Sequence, residues 1–256
     1  MLHSQVVAGS APERSMLFLH GILGRGQNWR SIAQRFVEKR PDYSAVLVDL
    51  RAHGESPADS PPDTLAQCAA DLEALEHTIP VAAVLGHSFG GKVALAYAAA
   101  HSCRTFVVDS TPSPRPDKRG SESVLAVLKA LRALPASFDD RRAFVRALNE
   151  EHSIPRPTAM WLAMNLRKDG ERMVFGVDLD RIDALLADYF EQDLWSAVNT
   201  DTAFLLGGKS NVVPSADVER ARSAGATVIT FQDAAHWVHV DAPDALTSAL
   251  VEHAPR

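Results

Sequence analysis

The chain has 256 residues, 46% hydrophobic and 23% charged, with a formal net charge of −6. That length can bury a large core and fits one domain carrying an insertion. The composition excludes a basic nucleic-acid-binding stripe. Arg115, Arg119, Arg132, Arg141, Arg142 and Arg146 are interleaved with acidic and apolar residues and read as solvated helix faces. Cys68 and Cys103 imply neither a disulfide framework nor a metal site and read as small core residues. No metal or organic cofactor is expected. No apolar run reaches the roughly 18 residues of a membrane span, and no secretory signal is visible. The default location is cytoplasmic, with an organelle as the alternative had a transit peptide been trimmed. The oligomeric state is left open.

In chain order, residues 15–20 form a short apolar run ending in His-Gly. Residues 28–39 carry Trp29, Ile32, Ala33, Phe36 and Val37 at helical spacing. Residues 44–50 (SAVLVDL) read as a buried parallel strand. A helix is expected over 63–77, a strand over 81–85, an Ala-rich helix over 90–100 and a strand over 104–109. This alternation implies a mostly parallel sheet flanked by helices. Residues 111–117 (TPSPRPD) are a linker by composition. From about 120 to 200 only helices are expected, and no convincing strand. Strands return at 203–206 and 227–231, with helices over 215–224 and 242–253. The fold class is therefore α/β, with a helical cap inserted after the sixth strand. The core is expected over 1–111 and 201–256, and the cap, a lid, over 112–200.

Gly86-His87-Ser88-Phe89-Gly90 lies between an expected strand and an expected helix. That strand–turn–helix context makes Ser88 the candidate nucleophile, held in a tight turn for which the glycines leave room. A serine hydroxyl needs a base. His236 follows the last expected strand, so its loop emerges at the same sheet edge; His239 is the competitor, read as structural. The acid should orient that imidazole. Residues 205–214 (LLGGKSNVVP) hold no acid where one is common, so Asp109, at the end of the next strand after the nucleophile helix, is preferred. Asp201 and Asp233 stay open, and an Asp capping the turn into Pro112 is the structural alternative. The oxyanion hole would use the backbone N–H groups of Phe89 and of Ile22, with Leu23 next.

With these residues in view, the sequence resembles the α/β-hydrolase superfamily over nearly its whole length. It is nearest the esterase branch of abhydrolase domain-containing protein 11 and YbfF. The segments carrying the resemblance are HGILG (20–24), VDLRAHGESP (48–57), GHSFGGKVAL (86–95), LLGGKSNVV (205–213) and AAHWVHVDAP (234–243). The resemblance implies the α/β-hydrolase fold and, independently of the positional argument, Asp109 as acid. It also implies that Asp49, Arg51, His53, Gly54 and Ser56 form a structural turn. Two departures stand out. The segment before Ser15 has room for about one strand, and Ala235 replaces the glycine usual before the catalytic His.

The expected function is that of a serine esterase or thioesterase, acting through an acyl-serine intermediate on a small acyl ester or thioester. Leu128, Phe144, Trp161, Met164, Leu185 and Tyr189 in the cap suit an apolar acyl group. Leu23, Trp161, Met164 and Trp237 are the substrate-binding candidates. Carbon–carbon bond hydrolysis, perhydrolysis and a non-enzymatic ligand receptor are the alternatives, because fold alone does not choose among them.

Overall fold

The computed structural model describes residues 1–57, 61–75 and 79–256. The first half of the chain runs β1 (Ser4–Ala8), β2 (Arg14–Leu19), α1 (Arg30–Lys39), β3 (Tyr43–Val48), α2 (Leu65–Glu73), β4 (Val81–His87), α3 (Phe89–Ala98) and β5 (Arg104–Val108). His77, the expected end of the helix from Asp63, lies outside the described residues. Thr64 caps α2 by accepting a hydrogen bond from the Gln67 N–H, which sets its start two residues after the expected one.

Among the described residues, seven strands form one sheet in the order β1-β3-β2-β4-β5, followed by β8 (Thr202–Gly207) and β9 (Thr227–Phe231). Only β1 runs antiparallel, against β3. The central strands are buried on both faces, which is why they read as unbroken apolar runs. The period of two is still visible in what each residue touches. Met16 and Phe18 pack with Ile32 and Phe36 of α1 and with Leu246 and Leu250 near the C-terminus. Leu17 and Leu19 point the other way, into a cluster with Cys68 and Leu72 of α2 and Val93 and Tyr97 of α3.

Between β5 and β8 the chain makes α4 (Glu122–Ala133), α5 (Arg141–Arg146), α6 (Arg156–Leu162) and α7 (Leu179–Glu191). It also makes a two-stranded antiparallel hairpin, β6 (Leu166–Asp169) and β7 (Arg172–Phe175), which corrects the expectation of helices alone. The hairpin turns on Gly170, whose φ of +59° favours glycine. The segment follows the fifth strand of the chain, not a sixth, because β1 alone precedes β2. Its apolar residues Phe144, Leu148, Leu162, Ile182 and Leu185 share one cluster with α2, α3 and β2. Both ends of the segment are tied to α3. The buried Lys92 Nζ donates to the carbonyls of Ser113 at 2.9 Å, Tyr189 at 2.8 Å and Gln192 at 2.7 Å. Burial lowers this ammonium to about 8, aided by the charge of Arg115. The chain closes with α8 (Ser215–Ser223), α9 (Val238–Asp241) and α10 (Pro243–His253). Among the described residues no helix is long and apolar enough to cross a membrane.

Candidate active site

The carboxyl ends of the parallel strands form one edge, and Ser88, Asp109 and His236 gather there. Ser88 sits between β4 and α3 with φ +53° and ψ −115°, a strained conformation for a non-glycine residue. Two close approaches hold it. A Cβ on Gly86 would overlap the Gly90 carbonyl, and one on Gly90 would lie 2.5 Å from the His20 oxygen. The Ser88 N–H donates to the Val108 oxygen at 2.9 Å, linking the turn to the end of β5.

Asp109, the residue after β5, also has a positive φ, +46°, and is 1% exposed. Its Oδ2 accepts from His236 Nδ1 at 2.7 Å and from the Ser210 hydroxyl at 2.6 Å, while Oδ1 accepts from the Gly207 N–H at 3.0 Å. The carboxylate is thus joined to the imidazole and not spent on capping the turn into Pro112. Ser210 was not singled out in the sequence. Its signal was there, in the Gly-Gly-x-Ser segment that holds no acid.

Ser88 and His236 line one cavity of about 210 Å³ together with Ile22, Leu23, Phe89, Trp161 and Trp237. The N–H of Phe89 begins α3 and has no intrahelical acceptor. Among the described residues no hydrogen bond takes up the Ile22 N–H either. Leu23 differs. Its N–H donates to His53 Nε2 at 3.0 Å, so it is not free for an oxyanion. His53 is fixed in turn by donating from Nδ1 to the Arg51 oxygen at 2.8 Å. Asp49 accepts from the Gly26 N–H at 2.7 Å and the Glu55 N–H at 2.9 Å. Residues 49–56 therefore shape the loop that carries Ile22.

Three buried histidines, His20, His53 and His87, and the half-buried His239 surround this edge. Burial lowers His20 to about 4 and His53 to about 3. His239 is lowered to about 4, first by burial and then by His236. His87 is pushed well below its ordinary value by the same two causes, and its ring stands 4.6 Å from that of His236. His239 lies in α9, its ring tilted against that of Trp29 at 4.7 Å. Asp201 precedes β8, at the opposite end of that strand from His236, and Asp233 is exposed and paired with Lys209.

The wall facing Ser88 differs from expectation. Trp161 and Tyr189 line it, and Trp161 meets Trp237 edge to face at 4.7 Å. Met164 does not line it; its sulfur accepts from the Asn28 side chain at 3.7 Å. Leu128, Phe144 and Leu185 are buried in the core cluster, and Val124, Val127 and Leu186 face the cavity in their place. Arg115 is not on a solvated face. It is 7% exposed and forms part of the cavity wall. Among the described residues no group of His, Cys, Asp or Glu side chains is arranged to hold a metal.

Residues 16–249 match the alpha/beta hydrolase family. The chain belongs to this family. Within it, the chain falls in the branch of ABHD11 and YbfF. It is 30% identical over 266 residues to the sn-1-specific diacylglycerol lipase ABHD11 of Mus musculus, covering 97% of this chain and 85% of that protein. It is 25% identical to the esterase YbfF of Escherichia coli, covering 97% and 96%. A solved marine microorganism esterase superposes with a TM-score of 0.84 at 24% identity, over 98% of each chain. The chain is an alpha/beta hydrolase with esterase and lipase relatives.

Proposed function

We propose that this hydrolase is a serine esterase or thioesterase, with Ser88, His236 and Asp109 as its catalytic triad. The observation that carries the reading is the shared cavity of Ser88 and His236, with His236 Nδ1 bonded to a buried carboxylate. Donation from Nδ1 to Asp109 leaves Nε2 as the basic nitrogen. His236 takes the Ser88 hydroxyl proton as the oxygen attacks the acyl carbon. The Phe89 and Ile22 N–H groups stabilise the oxyanion of the tetrahedral intermediate, each worth about 3–4 kcal/mol. The intermediate collapses, and His236 returns the proton to the leaving alcohol or thiol. Water, deprotonated by His236, then attacks the acyl-serine, and the acid departs as Ser88 regains its proton. Neutral His87 and His239 leave Asp109 as the charged partner of the transient imidazolium.

Residues 112–200 act as the lid over a core of 1–111 and 201–256, excluding water from the oxyanion site. Val124, Val127, Trp161 and Leu186 give the acyl pocket its apolar side.

The test is labelling with a fluorophosphonate, followed by a p-nitrophenyl ester series and matching thioesters. Wild type is expected to label at Ser88 and to lose activity once the acyl chain outgrows the cavity. Ser88→Ala is expected to lose labelling and nearly all turnover. Folded wild-type protein that does not label would refute the serine mechanism.

A further inference from the structure

Among the described residues, no aspartate or glutamate lines the cavity, and Arg115 is its one Lys or Arg. That guanidinium has no carboxylate within ion-pair distance among the described residues. Its hydrogen bonds go to the Arg119 carbonyl from Nη1 at 2.9 Å and to the Tyr189 hydroxyl from Nη2 at 2.8 Å. Its Nε is buried with no partner. The Tyr189 and Phe190 rings lie 5.2 and 5.7 Å from it. A guanidinium stays charged, and holding it out of water without a counter-ion is unfavourable. Five N–H donors against two acceptors among the described residues leave three unused.

The nearby cation does not relieve this. The charge of Arg115 is felt at Lys92, whose own acceptors are backbone carbonyls. Asp188, Asp193 and Asp217 act on Lys92, but each accepts bonds elsewhere: from Leu65 and Gln192, from Trp195, and from Thr111 and Ser113. Ser121, Ser123 and Asn211 line the same wall. A Cβ on Gly120 would lie 3.3 Å from Arg115 Nη1 and 3.2 Å from the Asn211 oxygen, so these segments meet at one polar end of the cavity.

We propose that Arg115 is a substrate-binding residue for a carboxylate, and that the preferred esters carry such a group on the acyl or the leaving side. The proposal rests on the ester-hydrolase reading for its substrate class, while the anion subsite itself does not. A planar carboxylate matches the guanidinium fork and supplies the missing counter-charge. The opposite, apolar side of the pocket holds the rest of the acyl group.

Two ester pairs test it. Mono-p-nitrophenyl succinate against p-nitrophenyl butyrate carries the charge on the acyl side; 4-acetoxybenzoate against phenyl acetate carries it on the leaving side. In one pair at least, wild type is expected to favour the anionic ester in kcat/KM by about tenfold or more, as loss of a charge-assisted bond implies. Arg115→Gln is expected to abolish that preference through KM, costing the anionic ester at least about tenfold more in kcat/KM than its neutral partner, and to be partly rescued by Arg115→Lys. Calorimetric titration with succinamate reads the subsite without turnover: binding to wild type and none to Arg115→Gln are expected. Should Arg115→Gln fail to fold, the wild-type preference and Arg115→Lys still decide. Equal or better use of both neutral esters by wild type, a parallel loss on all four esters in Arg115→Gln, or no succinamate binding would overturn the proposal. No turnover of any ester, with succinamate bound, would sink the hydrolase reading and keep the subsite.

Discussion

Replacing Asp109 by asparagine tests the triad at the residue that the sequence reached least directly. The carboxylate is 1% exposed and accepts three hydrogen bonds, from the Gly207 N–H, the Ser210 hydroxyl and His236 Nδ1. An amide keeps one acceptor oxygen and turns the other side into a donor. If the oxygen stays on the Gly207 N–H, the amide nitrogen faces His236 Nδ1, and the imidazole must carry its proton on Nε2. In that tautomer Nε2 cannot accept the hydroxyl proton of Ser88. If the amide flips, its nitrogen opposes the Gly207 N–H, at a cost of about 1–3 kcal/mol. The expected result is a fall in kcat of about ten thousand, about 5–6 kcal/mol of barrier, with the fold retained. The assay is p-nitrophenyl ester hydrolysis at pH 7 beside a circular-dichroism melt. A folded Asp109→Asn variant within tenfold of wild type would refute the role of Asp109.

Three further outcomes are expected. Ser210→Asp in the Asp109→Asn background returns a carboxylate to within reach of His236, since Ser210 Oγ lies 2.6 Å from the oxygen that His236 now contacts; recovery of about a hundredfold in kcat over Asp109→Asn is expected, and no recovery in a folded double variant would show that the acid works from β5 alone. Gly86→Ala drives a methyl into the Gly90 carbonyl, and a loss of about 1–3 kcal/mol or more in a denaturant melt is expected, against which wild-type stability would count. His20, His53 and His239 have folded values of about 4, 3 and 4 against an ordinary 6.5, lowered first by burial. The unfolded chain therefore takes up protons that the folded chain refuses, so stability present above pH 6.5 is lost as pH falls towards 4, by up to a factor of ten per group per pH unit; a melting temperature flat over that window would refute the assignment.

How much was legible follows from where each signal lives. Ser88 could be read because strand, tight turn and helix are consecutive in sequence, and each has its own periodicity. Asp109 was legible by elimination, since 205–214 holds no acid, but its other partners were not. Ser210 and Gly207 meet it because β5 and β8 are neighbours in the sheet, which only the fold reveals. The hairpin at 166–175 was missed because its strands are four residues long and, apart from Leu166, exposed or partly exposed, too short for an alternation to register; the glycine of the Gly170-Glu171 turn was the available clue. The stripes at Leu128, Phe144 and Leu185 were read as one apolar class. Helical spacing says that a face is buried, not whether it meets core or cavity, and here Val124 and Val127 meet the cavity. Arg115 sat among prolines and acids and looked solvated, because an arginine's burial depends on what folds over it.

The position of the cavity wall relative to Ser88 is set by the shared apolar cluster and by one buried lysine. Lys92 lies four residues after Ser88, in α3, the helix that Ser88 precedes. Its ammonium holds the Ser113 carbonyl on one side of the 112–200 segment and those of Tyr189 and Gln192 on the other. Arg115 follows Ser113 by two residues and is bonded to the Tyr189 hydroxyl. One buried lysine therefore registers both flanks of the guanidinium to the turn that carries Ser88. The charge repulsion between Lys92 and Arg115 is tolerated because each is held by oxygens, Lys92 by three carbonyls and Arg115 by a carbonyl and a hydroxyl. An arriving carboxylate would offset the charge of Arg115 as the ester reaches Ser88, linking occupancy of the wall to the placement of the scissile bond.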